Sequence, residues 1–411
     1  MTLLDQRIRL DEQRPALDPD DFFGSVLPAA IDEHADCILP ALAFVEPRPF
    51  VVEVEGDAWS LRADDNRVTI TPGLDDGARA HVRLDPHQLD DLVNDQQTFM
   101  SLWAGNKLVQ SKGNVGHCLD WWLVWRAALD GTPIHTPGAV TFRDLDGDPL
   151  DLARTFRLDD DPDEMRNFIE QAGFMHLTDV WSEVEMAEIS RDMDAAVSEY
   201  AEGDGRSWWA RTADSETRLV RMQGFDSHSP ATADLLNDDR FLSLASIPGA
   251  GHVQRSHRMW NRIEALFKPI GVTEGISDIP WHKDCGIGRH SYECCGLTTG
   301  ISVTGADEVS GQLHALAGSH RALVWSGILQ PDLDLPDIPL ATQTGDVTLH
   351  LSCTMHMAQP PAERERRVMY SGFSLPPLEE ASDEARAAGR ARLGAVREGA
   401  PLTVLDKHFK S

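Results

Sequence analysis

Trp281-His282-Lys283-Asp284 is the stretch from which the rest of this chain is best read. Successive side chains of an extended segment point to opposite sides, so His282 and Asp284 face the same way and are spaced to grip one metal ion together. An imidazole and a carboxylate are two of the three ligands of a mononuclear ferrous site. In that site two histidines and one carboxylate occupy one face of the ion and leave the other for a cosubstrate and oxygen. The sequence must then supply a second histidine and a cationic group for an acidic cosubstrate.

The surroundings favour such a site. Downstream of the motif, short strand-like runs alternate with glycine, proline and aspartate as far as Pro376, the texture of a jelly roll. Near the end of this region stands Gly345-Asp346-Val347-Thr348-Leu349-His350-Leu351-Ser352-Cys353-Thr354-Met355-His356. In a closed double-stranded β-helix, strands far apart in sequence face one another, so a separation of 74 residues from His282 is no obstacle. His350 and His356 lie six apart and share a side in a regular strand, so parity does not choose between them. Their order in the region does. Gly345-Asp346 turns into the strand, and His356 stands where it gives way to Met357-Ala358-Gln359-Pro360-Pro361. Arg366-Arg367-Val368-Met369-Tyr370-Ser371 begins the return. His356 is therefore expected at the barrel mouth, His350 along the barrel wall, and the cation one hairpin away.

With these residues the region from about 160 to 375 resembles the phytanoyl-CoA dioxygenase family of Fe(II)- and 2-oxoglutarate-dependent oxygenases. Phe168-Ile169-Glu170-Gln171-Ala172-Gly173-Phe174-Met175-His176-Leu177 is similar to that family's opening helix, glycine and strand. Ser310-Gly311-Gln312-Leu313-His314-Ala315-Leu316-Ala317-Gly318-Ser319-His320 is close to its small-residue and Gly-Ser-His signature. The family pattern places a histidine ten residues after the Gly-Asp aspartate and an arginine eleven after that histidine, which here are His356 and Arg367. The resemblance implies that His282, Asp284 and His356 hold Fe(II), that Arg367 holds the distal carboxylate of 2-oxoglutarate, and that O2 is the oxidant. Ser371, four residues beyond Arg367, is expected to add a bond to the cosubstrate, and Arg366 to face outward as a surface charge. Lys283 stands where glutamine is frequent in the family, and Gln359-Pro360-Pro361 replaces a glycine-rich turn; both bear on substrate contacts. Related halogenases have a small residue in place of the carboxylate, so Asp284 points to oxygen chemistry, with hydroxylation the simplest outcome.

A chain of 411 residues exceeds what one core usually organises. Gly131-Thr132-Pro133-Ile134-His135-Thr136-Pro137-Gly138-Ala139-Val140 reads as a hinge, giving expected domains 1–135, 136–376 and 377–411. The first should be a small α/β unit, with strands near 50–54, 59–62, 67–70 and 80–84, a helix opened by Asp85-Pro86, and a later helix with Cys118, Trp121, Trp122 and Trp125 on one face. This order resembles the sterol carrier protein family over residues 40–130, which implies a substrate-presenting or lipid-binding module; the plainer reading makes the tryptophans core. The second domain should begin with a helix from Pro162 to Gly173 and a helix capped by Ser182 and Glu185. A third helix is expected over 253–267, and residues 379–398 read as a charged, alanine-rich appendage.

The 37 lysines and arginines stand against 67 aspartates and glutamates, a net charge of −30. That balance argues against a nucleic-acid partner and weakens the case for a strongly anionic substrate. No run approaches a membrane span and the first residues lack a signal-peptide core, so the expected location is the cytoplasm. The six cysteines show no paired spacing and should be free thiols there. Trp208, Trp209, Met222 and Trp281 are candidate walls for a sizeable apolar substrate such as a steroid, terpenoid, polyketide or acyl chain. Two alternatives are a non-catalytic lipid carrier, and a cupin-like metal enzyme that makes no use of 2-oxoglutarate.

Overall fold

A computed structural model describes residues 17–64, 66–254, 262–275, 277–285 and 296–376. Its two halves are built differently. In the N-terminal half, β1 (Phe50–Val54), β2 (Asp57–Asp64), β3 (Arg67–Pro72), β4 (Ala80–Leu84) and β5 (Val109–Lys112) form one sheet in the order β3-β2-β1-β4-β5. β1 and β4 are parallel and the other pairs antiparallel. Helix α1 (Pro86–Val93) starts where Asp85 and Gln88 form a reciprocal capping box. Helix α2 (Val115–Asp130) is apolar nearly all round, as expected of a buried helix. Trp121, Trp122 and Trp125 are wholly buried among Phe22, Phe23, Phe50 and Phe99, so they are core.

The second half begins with α3 (Pro162–Ala172), ended by Gly173 in the left-handed region, and α4 (Glu183–Ala196), capped by Ser182 and Glu185. Its strands are β6 (Phe174–Leu177), β7 (Ser207–Thr212), β8 (Thr217–Gln223), β9 (Val253–Gln254), β10 (Glu264–Lys268), β11 (Val272–Glu274), β12 (Gly296–Ser302), β13 (Leu313–Leu316), β14 (Asp337–Leu340), β15 (Val347–Leu351), β16 (His356–Ala358) and β17 (Arg366–Ser374). The large antiparallel sheet runs β11-β7-β8-β10-β17-β12-β15-β6, with β9 added on β17, and a small sheet runs β14-β13-β16. This is the double-stranded β-helix expected from the sequence. The helix expected over 253–267 is a correction: β9 and β10 occupy its described ends. Glu264 to Lys268 is strand because it is paired on both sides, by β8 and β17. Such pairing overrides the weak helical preference of Ala265 and Leu266. The appendage at 379–398 lies outside the described residues, as do Cys294 and Cys295; Cys37 and Cys118 are free thiols.

One face of the large sheet is core. Leu297, Ile301, Val347, Leu349, Met369 and Phe373 pack with Phe168 of α3 and with Met186 and Ile189 of α4. By the two-residue period of strands, the opposite face presents Thr298, Gly300, Ser302, Thr348, His350, Arg366, Val368 and Tyr370. Among the described residues no helix is long and apolar enough to cross a membrane.

Candidate metal and cosubstrate site

His282 and His356 are held face to face by the backbone. The His282 N–H donates to the His356 carbonyl at 3.0 Å and the His356 N–H returns the bond at 2.9 Å, so the motif extends the small sheet by one strand. The preceding strand β15, which carries His350, is aimed by the Gly-Asp turn. Gly345 has φ +90°, and a Cβ there would lie 1.9 Å from the Trp181 carbonyl, so only glycine fits. Asp346 accepts the Asp179 and Gln343 N–H groups and bonds His176, pinning the turn to β6.

The three sequence-predicted ligands come together at one point. His282 Nε2 lies 3.5 Å and His356 Nε2 3.7 Å from Asp284 Oδ1, and one ligand atom from each residue lies within 4.8 Å of the other two. Backbone carbonyls fix the tautomers: His282 Nδ1 donates to Pro280 O at 2.7 Å and His356 Nδ1 to Thr354 O at 2.9 Å. Each ring therefore turns a lone pair on Nε2 toward Asp284, the arrangement a metal ligand requires. Burial, reinforced by His350 and His282, pushes the His356 pKa well below the ordinary imidazole range and keeps the ring neutral. At Asp284, loss of water opposes ionisation, but the adjoining imidazoles of His356, His282 and His350 outweigh it and hold the carboxyl well below its usual range. Thr298 Oγ1 donates to Asp284 Oδ2 at 3.0 Å and orients the carboxylate. Two imidazoles and one carboxylate fit Fe(II) in donor type.

His350 is closer to this group than the sequence suggested. Its ring centroid is 4.1 Å from that of His356, its Nε2 is 3.5 Å from Asp284 Oδ2, and neither ring nitrogen has a hydrogen-bond partner. Being six residues from His356 in sequence gave no sign of this, because the two stand on different sheets and are brought together by the fold. His314 and His320 are structural, bonded to Asp337 and to the Glu170 carbonyl.

Arg367 and Ser371, in contrast, are turned away from the triad. Arg367 Nη1 donates to Ser190 O and Oγ at 2.7 and 2.9 Å, its Nη2 meets Asp194 at 2.7 Å, and its guanidinium lies 5.1 Å over the Phe267 ring. It ties β17 to α4 on the core face of the sheet. Ser371, on the same face, donates to the Arg262 carbonyl at 2.6 Å. Arg366, read from sequence as a surface charge, is 4% exposed on the inner face, where it lines a narrow cleft with Gly300, Thr348 and Tyr370. Its Nε and Nη2 are buried with no hydrogen-bond partner, and buried guanidinium N–H groups are costly to leave unmatched. The spacing from His356 misled because an irregular loop separates the two strands and parity is not carried through a loop. The signal that would have found Arg366 is within β17, where Met369 and Phe373 mark the core face on which Arg367 also falls. Of the expected substrate walls, Met222 is wholly buried in the helix-side core and Trp209 packs against it. Trp208 lies under Arg221, and Trp281 packs beside Met355.

No curated protein matches the sequence. Among solved structures, the chain is similar to AviO1 from Streptomyces viridochromogenes Tue57 at 19% identity and TM-score 0.42, covering 54% of this chain and 98% of that one. It is also similar to the epimerase SnoN, solved with Fe3+, alpha ketoglutarate and nogalamycin RO, at 15% identity and TM-score 0.41, covering 52% and 83%. For EctD from S. alaskensis, solved with 2-oxoglutarate and 5-hydroxyectoine, the figures are 16%, 0.43, 59% and 86%. Residues 169–368 match the phytanoyl-CoA dioxygenase (PhyH) family, a span that begins after the N-terminal sheet and contains the triad and Arg366. The chain thus carries a PhyH family domain at residues 169–368 and is, through that domain, an Fe(II)- and 2-oxoglutarate-dependent oxygenase.

Proposed function

We propose that His282, Asp284 and His356 hold the iron, that Arg366 anchors the distal carboxylate of 2-oxoglutarate, and that the reaction is hydroxylation of an unactivated C–H bond in a sizeable apolar small molecule. Bound iron, with 2-oxoglutarate and O2, supplies the oxidising power, and the cosubstrate leaves as succinate and CO2. The observation that carries the reading is Arg366, a buried guanidinium with unmatched N–H groups on the same sheet face as His350 and Thr298. A planar guanidinium binds a carboxylate through two parallel charge-assisted bonds, and burial strengthens them by excluding water. Thr298 keeps one oxygen of Asp284 engaged and leaves the other toward the two imidazoles. Trp281, partly buried against Met355 beside the ligands, supports an apolar substrate at the mouth.

The test is anaerobic titration of Fe(II) and 2-oxoglutarate, reading the visible charge-transfer band of the chelate. Wild type should form the band, and Arg366→Ala should require far more 2-oxoglutarate to reach it. A missing band in wild type, or unchanged affinity in Arg366→Ala, would refute the assignment. The proximity of His350 to Asp284 favours one second reading, a site of three histidines and one carboxylate that does without 2-oxoglutarate. It predicts that His350→Ala weakens Fe(II) binding as much as His356→Ala.

A further inference from the structure

Residues 322–328 form an extended strap that leaves the catalytic half, crosses to the N-terminal core and returns to the His282-Lys283-Asp284 (HxD) segment. Alternating side chains give it two working faces. Leu323 is part of the N-terminal core, and Trp325 and Ile328 pack against it. Ala322 and Val324 belong instead to the cluster that holds Met355, with Trp281 packed on it, the immediate neighbours of His356 and His282. The strap is bonded on both sides. The His135 N–H donates to Leu323 O at 3.1 Å, and Trp325 Nε1 donates to Asp120 of α2 at 3.1 Å. Toward the site, the Lys283 N–H donates to Ser326 O at 3.1 Å and the Ile328 N–H to Trp281 O at 2.6 Å, while Gly327 bridges His282.

Two further observations show that the strap is tightly constrained. Ile328 holds φ +64°, a left-handed conformation that a β-branched residue adopts only when its surroundings over-determine it. A Cβ on Gly327 would lie 2.7 Å from Cγ of Met100 in the N-terminal core. The backbone bridged to His282 is therefore in van der Waals contact with the other half of the molecule.

We propose that the N-terminal unit is a positioning element of the metal site, with Trp325, Gly327 and Ile328 transmitting its packing to His282 and Asp284. This rests on the reading that those two residues hold the metal. Trp325 and Gly327 are positioning residues, since they act on the site only through the 281–284 backbone.

The test uses the full-length protein and two readouts: amide hydrogen exchange of segment 281–284 in the apoprotein, and Fe(II) affinity by anaerobic titration with the metal alone. Gly327→Ala should speed exchange at 281–284 roughly tenfold, as expected when a local closure is loosened. It should weaken Fe(II) binding by roughly tenfold, the usual scale for disturbing a group behind a metal ligand. Met100→Ala added to Gly327→Ala makes room for the new methyl and should restore both. Trp325→Phe, which removes the indole N–H that bonds Asp120 and part of the ring packed on the N-terminal core, should shift both readouts less and in the same direction, and it decides the matter if Gly327→Ala fails to fold. Unchanged exchange at 281–284 in these variants, or no rescue by Met100→Ala, would overturn the proposal. A wild type that binds no Fe(II) would instead overturn the metal assignment, and the exchange arm would still decide the role of the strap.

Discussion

The two main sheets of this protein treat their buried surfaces differently. The N-terminal sheet packs its helix-facing side into an aromatic core, with Trp121, Trp122, Trp125, Phe50 and Phe99 wholly buried. The large sheet has one face of that kind, carrying Leu297, Ile301, Val347, Leu349, Met369 and Phe373. Its other face is also shielded, yet carries Thr348, His350 and Arg366. Burying polar groups costs free energy unless they find partners. A buried face with unmatched imidazole and guanidinium groups is therefore one suited to a ligand that would complete it. The same contrast holds for adjacent residues, since Arg367 satisfies itself on α4 while Arg366 does not.

That contrast can be broken in several ways. Asp284→Ala should abolish Fe(II) binding and succinate formation, because it removes the only carboxylate of the set; retention of either would remove the triad from the chemistry. On the other sheet, Trp122→Ala should cost roughly 3 to 5 kcal/mol in denaturant unfolding, the scale for truncating a wholly buried aromatic. Arg366→Ala should raise the KM for 2-oxoglutarate roughly 10- to 100-fold, the loss of hydrogen bonds to a charged group.

His320 tests the region behind the ligands through pH. Burial pushes its pKa down to about 4, whereas the unfolded chain titrates near the ordinary imidazole value, about 6.5. Between those values the unfolded state binds the extra proton, so stability is full above about 6.5 and falls as pH drops toward 4. His320→Gln should flatten that acid limb by an amount on the order of 2 kcal/mol, seen as the change in unfolding free energy across the window. The smallest effect is expected at Arg367. Its ion pair with Asp194 is partly exposed, so Arg367→Ala should cost at most about 1 kcal/mol of stability and leave the KM for 2-oxoglutarate unchanged.

Much of the catalytic half was legible because its signals are local. Ser182 with Glu185, Gly173 and Gly345-Asp346 each set backbone conformation within a few residues, and each appears as read. His282 and Asp284 were legible for the same reason, and His356 through its position after the Gly-Asp turn. Arg366 was misread because the side on which a strand residue falls depends on register, which the partner strands set and an intervening loop conceals. Met222 was misread likewise: an apolar residue near a site is indistinguishable in sequence from one on the opposite face of the same sheet.

By itself, then, the sequence determined the jelly roll, the residue types of the candidate metal site and the oxygenase class, since these rest on residue chemistry and short-range backbone preference. Only the tertiary structure decided which arginine of an adjacent pair faces the cleft, that a third imidazole crowds the carboxylate, and that a strap from the N-terminal core braces the HxD segment. Those outcomes depend on pairing between strands and on packing between segments distant in the chain, where each residue's neighbours are fixed by the whole fold.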